Sequence, residues 1–223
     1  VASVAINSAG HLIVLQRSPV PFLEFDAEGT FIRSFGTADL FNRSHGLRID
    51  EQDNLWVTDV SDHIAMKLNP DGEILMSIGS RGESGTWDVT SGSLLLAEPN
   101  DIALDSYGNF YIAQGHGNGA VPEILKFNSS GEFIMKWGAL GNDQGEFAVA
   151  HSIVIDSDNT IYVADRENTR IQTFDTNGNY IDQWNYNTLI CALYLHDDGF
   201  TYITTGFDGE LAKLEMDGSI IGS

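Results

Sequence analysis

Short apolar stretches alternate with polar turn residues along the whole chain, and they recur on one template. Take Ala2, His45, Asn100, His151 and Cys191 as position zero. Five residues on stand Asn7, Asp50, Asp105, Asp156 and His196; eleven on stand Ile13, Trp56, Tyr111, Tyr162 and Tyr202. At plus twenty-seven come Gly29, Gly72, Gly178 and Gly218, and the third copy reaches its Gly131 four residues late. In the second copy GLRI, NLWVTD, AMKLN and ILMSIG alternate or run apolar and are rich in β-branched and aromatic residues, which predicts four short strands. The segments between them, EQDN and PDG, and their counterparts SAG, SYGN, SDN, AEG, SSG, TNG and MDG, carry Asp and Asn that bond their own backbone and Gly that supplies positive φ. No sustained helical stripe competes with this pattern. Five copies at a period of about 40 residues, with two turns in each, predict an all-β chain, a β-propeller of four-stranded blades. Residues 1–223 read as a single domain of this kind.

In such a blade the first strand is innermost, and position within the repeat decides which face a residue occupies. The a–b and c–d turns hold their length from copy to copy. The d–a connections do not: SRGESGTWDVTSGSLLLAE follows Gly79 and ALGNDQGEFAVA follows Gly138. The excess of the third copy lies in its b–c loop, GHGNGAVPE. All three insertions decorate the face where the inner strands begin, and variable loops on a rigid scaffold carry function. That face also collects polar chemistry. His45 and His151 start inner strands, the second strands end on Gln16, Arg17, Asp59, Gln114, Asp165 and Arg166, and the long loop brings His116. Two imidazoles on one face suit a shared divalent metal, since neutral His is the commonest nitrogen ligand. The competing reading is that each His only hydrogen-bonds a neighbouring connection. His11, His63 and His196 fall on turns or loops and are expected at the surface.

Charge and cysteine use narrow the partners. With 11 basic and 32 acidic residues the net charge is −21, which repels nucleic acid and anionic membranes and favours cations and cationic ligands. The single Cys191 cannot form an internal disulfide, so packing must hold the fold, and export is neither required nor excluded; a soluble, secreted or periplasmic location is left open. Cys191, between Ile190 and Ala192 on an inner strand, is expected to be reduced and poorly accessible.

SHGLRIDEQDNLWVTD, EPNDIALDSYGNFYIAQGHGN, AHSIVIDSDNTIYVADRENTRIQTF and LIVLQR resemble the NHL repeats of peptidyl-α-hydroxyglycine α-amidating lyases and their bacterial relatives. The resemblance covers essentially the whole chain, and ADRENTRIQ beside HSI is its most specific part. It implies a six-bladed propeller that cleaves a peptidyl-hydroxyglycine to a peptide amide and glyoxylate. The family uses a Zn²⁺ on three His, a structural Ca²⁺, and an Arg and a Tyr near the substrate. Carried over by position, two zinc ligands match His45 and His151, the substrate arginine matches Arg17, and a calcium-binding carbonyl matches Leu47. The family tyrosine falls at His116, whose imidazole is expected to act as the catalytic base. The third zinc His and the calcium Asp belong to a sixth blade, whereas five copies are visible here.

Three functions follow as expectations. The first is a metal-dependent lyase acting on a small peptide-like or other small-molecule ligand. The second is a non-catalytic NHL propeller that binds a protein or peptide. The third is a calcium-dependent lactonase-like hydrolase, for which position zero shows no acidic cluster. A ring short of one blade would expose apolar flanks, so self-association is expected with it.

Overall fold

The structure, a computed structural model, describes residues 1–223 apart from Asn118, Asp197, Phe207 and Asp208. Its described residues form five antiparallel sheets of four strands, each in simple chain order. Sheet one comprises β1 (Ser3–Ile6), β2 (Leu12–Leu15), β3 (Phe22–Phe25) and β4 (Phe31–Phe35). Sheet two comprises β5 (Ser44–Ile49), β6 (Leu55–Asp59), β7 (Ile64–Leu68) and β8 (Ile74–Ile78). A two-stranded hairpin follows, β9 (Trp87–Asp88) with β10 (Ser93–Leu94). Sheet three holds β11 (Pro99–Leu104), β12 (Phe110–Gln114), β13 (Glu123–Phe127) and β14 (Phe133–Trp137). Sheet four holds β15 (Ala150–Ile155), β16 (Ile161–Asp165), β17 (Arg170–Phe174) and β18 (Tyr180–Asn185). Sheet five holds β19 (Ile190–Leu195), β20 (Thr201–Thr205), β21 (Leu211–Leu214) and β22 (Ile220–Gly222). The one helical element among the described residues is a 3₁₀ turn at Arg166–Asn168. No helix there is long and apolar enough to cross a membrane.

The chain divides into two compact units, Val1–Ile102 and Ala103–Ser223, with the division inside β11. In the first unit Ile13, Leu15 and Phe22 of sheet one pack on Leu47, Leu55, Val57 and Met66 of sheet two. In the second, Val154, Tyr162, Ala164 and Ile171 of sheet four pack on Leu193, Ile203, Ala212 and Leu214 of sheet five. Each of these side chains is buried, and burying a large aliphatic or aromatic residue contributes roughly 1.5–3 kcal/mol. The core is therefore distributed between sheets, as two-residue alternation along every strand requires.

The template residues explain their own recurrence. Asp50 accepts the N–H groups of Gln52 and Asn54 on Oδ1, closing the first turn, while Oδ2 takes the indole N–H of Trp56 at 3.0 Å. Asp105 and Asp156 repeat the device with the hydroxyls of Tyr111 and Tyr162, each at 2.9 Å. A position-five carboxylate and a position-eleven aromatic donor thus fix the turn to its own sheet. The phenols of Tyr111 and Tyr162 are pushed well above the ordinary tyrosine range, first by burial and then by the carboxylates they donate to.

The first insertion is less open than its composition suggests. It holds the hairpin, Trp87 and Leu96 are buried, and the Glu98 N–H donates to Nδ1 of His63 at 3.1 Å. His63 is thus half-buried, with a φ of 55°, rather than a surface residue. Cys191 is half-buried as well, more accessible than its place on an inner strand predicts.

Candidate functional site

In the first unit the site is built around His45, at the start of β5. Its Nδ1 donates to the carbonyl oxygen of Asn100 at 2.9 Å. A carbonyl can only accept, so the proton resides on Nδ1 and the lone pair on Nε2, the tautomer a metal ligand needs. The same carbonyl accepts the Thr58 hydroxyl at 2.8 Å, and Oγ1 of Thr58 accepts the Gly46 N–H at 2.8 Å. His45 is therefore held from two sides. Gly46 is obligatory in this arrangement, because a Cβ there would stand 2.7 Å from Oδ1 of Asp101 and 2.9 Å from the Asn100 carbonyl. Arg17, exposed just past β2, donates from Nε to the carbonyl of Ser44 at 3.0 Å, which places a guanidinium next to His45 along the backbone.

The second unit repeats the construction. Nδ1 of His151, at the start of β15, donates to the Cys191 carbonyl at 2.7 Å. The same proton assignment follows, with the lone pair on Nε2. His45 and His151 are each tied to the backbone carbonyl at position zero of the following copy. At Cys191 the sequence draws attention to the thiol, whereas the structure uses the carbonyl; the recurrence of position zero is the signal that points to it. His116 follows β12 through Gly115, whose φ of 97° and whose contact of 2.5 Å between an added Cβ and Cα of Pro122 leave no room for a side chain. The ring of His116 lies 5.4 Å from that of His151 between centroids, and ligand atoms of the two lie within 4.8 Å. The structure therefore brings together two histidines to which different roles had been assigned. Asn118, in the same loop, lies outside the described residues.

The other strand-end polar residues serve the loops. Asp59 is fully buried and accepts the N–H groups of Asn42, Arg43, Ser61 and Asp62. Asp165 accepts the Ala148 N–H, the Asn168 amide and Nε of Arg170. Burial pushes the Asp165 carboxyl up, against the pull of those donors. Arg170 in turn spreads over the carbonyls of Asn142, Asp143 and Glu146, so this buried pair fastens the second insertion to sheet four. Arg166 pairs with its neighbour Glu167.

Leu47, the expected calcium-binding carbonyl, is fully buried, and its oxygen accepts Nη1 of Arg48 at 3.0 Å. Nη2 of the same guanidinium holds the Asp101 carboxylate at 2.5 Å. A calcium ion requires six to eight oxygen ligands around it. Here a guanidinium already serves both the carbonyl and the carboxylate, and the residues present do not fit the ion.

The comparisons with known proteins agree with the architecture. Residues 90–217 match the family model described as a 6-bladed beta-propeller. A probable peptidyl-α-hydroxyglycine α-amidating lyase of Caenorhabditis elegans is 31% identical over 200 residues, covering 78% of this chain and 55% of that protein. NHL repeat-containing protein 3 of Homo sapiens is 30% identical over 193 residues, covering 82% of this chain and 54% of that protein. The chain thus spans about half the length of these relatives. Among solved structures, a streptogramin B lyase superposes with a TM-score of 0.72 at 15% identity, over 100% of this chain and 67% of that one, which is a likeness of fold. The chain belongs to the six-bladed β-propeller family and is built from NHL-type repeats.

Proposed function

We propose that the chain forms part of a metal-dependent lyase for peptidyl-α-hydroxyglycine or a closely related hydroxylated amide, with His45, His116 and His151 as ligands to one Zn²⁺. The observation that carries this reading is the matched protonation of His45 and His151. Each donates from Nδ1 to the carbonyl of the next position zero, which holds both rings in the Nδ1–H tautomer that a metal-ligating histidine adopts. His116, beside His151, is assigned as the third nitrogen ligand rather than the base, since a ring this close to a ligand imidazole is placed to share its ion. Three neutral imidazoles suit zinc and leave a position for substrate. When bound, the metal supplies Lewis acidity that lowers the pKa of a coordinated hydroxyl.

The chain's own residues do the remaining work. The carbonyl tethers keep the imidazoles in one tautomer and orientation. Arg17, anchored by Nε on Ser44, offers its terminal nitrogens to a substrate carboxylate or carbonyl in the paired geometry that guanidinium favours. The acidic field raises the local concentration of cations. Calcium has no part in this proposal, because Arg48 occupies the Leu47 carbonyl.

The test is a zinc titration combined with glyoxylate release from an α-hydroxyglycine peptide. Zinc should bind near one equivalent, His45→Ala, His116→Ala and His151→Ala should each weaken it, and Arg17→Ala should lower turnover while leaving zinc affinity unchanged. Equal zinc affinity in wild type and the three histidine variants would overturn the ligand set. Zinc bound through these histidines with no glyoxylate from any hydroxyglycine peptide would favour a peptide- or protein-binding propeller instead.

A further inference from the structure

Position zero is where three of the sheets break their ladder. In sheet two the register runs from Ser44 opposite Asp59 to Leu47 opposite Val57, so two residues, His45 and Gly46, face the single Thr58. Sheet four sets His151 out of register in the same way, between Ala150 opposite Asp165 and Ser152 opposite Ala164, and sheet five does so at Cys191. A β-bulge of this kind re-aims a side chain and takes backbone groups out of the ladder. Where they are buried, those groups need other partners. In sheet two the fully buried Thr58 supplies one, its Oγ1 accepting the Gly46 N–H at 2.8 Å. An amide N–H can only donate, so the hydroxyl proton is left for the Asn100 carbonyl, 2.8 Å away. That carbonyl also takes the Nδ1 proton of His45 at 2.9 Å, which uses both of its lone pairs. The bonds close a circuit: Gly46 donates to Thr58, Thr58 and His45 both donate to Asn100, and His45 is joined to Gly46 by their peptide. Every proton direction in the circuit is fixed, and every member lies within Val1–Ile102. Position thirteen holds Leu15, Thr58, Ala113, Ala164 and Thr204, so the residue across from His151 is an alanine, whose side chain has no donor to offer.

We propose that Thr58 is a positioning residue for His45: its hydroxyl closes the bulge and braces the Asn100 carbonyl, so the imidazole is held in one tautomer and one direction before any metal binds. The inference rests on the reading of His45 as a zinc ligand. A carbonyl oxygen by itself accepts protons over a broad range of directions. With one lone pair held by Thr58, only the other is left for the ring, and the arc open to His45 narrows. The circuit also ties the ring to its own backbone, since the Gly46 amide that anchors Thr58 follows His45 directly. A ligand fixed in this way loses less conformational freedom when the ion binds. The two tethered histidines therefore differ in kind: that of sheet two has a hydroxyl brace across its bulge, and that of sheet four has Ala164 in the same place.

The test compares Thr58→Val, which keeps the shape and removes the hydroxyl, with Thr58→Ser, which keeps the hydroxyl; Thr58→Ala serves where the valine variant does not fold. Two quantities are measured on the whole chain. One is the tautomer of the His45 ring, by nitrogen NMR without metal at about pH 8, where imidazole is neutral; the other is zinc affinity. Wild type and Thr58→Ser should both show His45 with its proton on Nδ1 and should bind zinc alike. Thr58→Val should show both tautomers of His45 and bind zinc about tenfold more weakly, the lower end of what a ligand-orienting partner is worth. In a His45→Ala background Thr58→Val should change zinc affinity no further, because a brace acts only through the ring it holds. A His45 tautomer unmoved by Thr58→Val would overturn the proposal. So would an equal loss of zinc affinity with and without His45, which is what a general loosening of the sheet produces. A wild type that binds no zinc would count against the ligand set, while the tautomer, measured without metal, still decides on Thr58.

Discussion

Sheets four and five follow one template and end in opposite circumstances. Sheet four has both flanks in the core: Ile153 and Ile161 face one way, Tyr162, Ala164 and Ile171 the other, and all are buried. Sheet five buries Leu193, Ile203 and Leu214 and leaves Tyr194 and Leu211 mostly in water. Position zero is an imidazole in one and a thiol in the other, and position five a carboxylate in one and an imidazole in the other. The same alternation of residues therefore specifies a strand in both cases, while what a residue contributes depends on how far its side chain is buried. Stability and metal chemistry should separate along that line.

The largest expected difference lies between Ile171 and Leu211, which share position twenty. Ile171 is fully buried, and Ile171→Ala should cost about 2–5 kcal/mol from lost burial and the cavity left behind. Leu211, 60% exposed, has little transfer energy to lose, and Leu211→Ala should cost under about 1 kcal/mol. Urea unfolding measures both. Equal losses would mean that Leu211 is buried in solution as deeply as Ile171.

At position zero the contrast is chemical. His151→Ala should weaken zinc binding at least tenfold, since removing even a group that orients a ligand costs about 10–100-fold. Cys191→Ala should leave zinc affinity within a factor of two, because Cys191 acts on His151 through its carbonyl, which alanine retains. A competition titration with a chromogenic chelator distinguishes them. A loss on Cys191→Ala as large as that on His151→Ala would give the thiol a direct role that the tether does not require.

The fold was legible because its signals are local. The pairing of Asp50 with Trp56, of Asp105 with Tyr111 and of Asp156 with Tyr162 lies within six residues, and each pairing specifies one hairpin. The site was legible only in outline. Position zero picked out His45 and His151, and their carbonyl tethers follow the same register, but a tether made by backbone leaves no side-chain signature. His116 was legible as a polar residue in a long loop, yet its approach to His151 depends on the turn that Gly115 makes possible. Arg48 escaped notice because its guanidinium, besides covering the carbonyl of its neighbour Leu47, reaches the carboxylate of Asp101, 53 residues further along the sequence. The hairpin of β9 and β10 escaped because Trp87–Asp88 and Ser93–Leu94 are too short to show alternation.

The smallest effect, and the finest comparison, concerns the turn aromatics. Tyr162 donates to Asp156 at position five of sheet four. In sheet five His196 fills position five, and its Nδ1 accepts the Asp198 N–H at 3.0 Å. The carboxylate role passes two residues along, to Asp198, which takes the Tyr202 hydroxyl at 2.8 Å and Nζ of Lys213 at 3.0 Å. Desolvation raises the Asp198 carboxyl, but the hydrogen bonds from Lys213, Tyr202 and the Phe200 N–H together outweigh it and bring it down to about 2. Tyr162→Phe should cost about 1 kcal/mol, the usual worth of such a bond, and Tyr202→Phe less, because its partner is solvated. The sign for Asp198 follows from its depressed value. Its contribution is complete above the ordinary aspartate pKa near 3.8 and is lost as pH falls from there through about 2. Asp198→Asn should therefore flatten the fall of melting temperature between about pH 4 and pH 2, while leaving the dependence above pH 5 unchanged. Parallel curves for wild type and variant across that acid range would show that the relocated carboxylate does not hold the turn of sheet five as Asp156 holds that of sheet four.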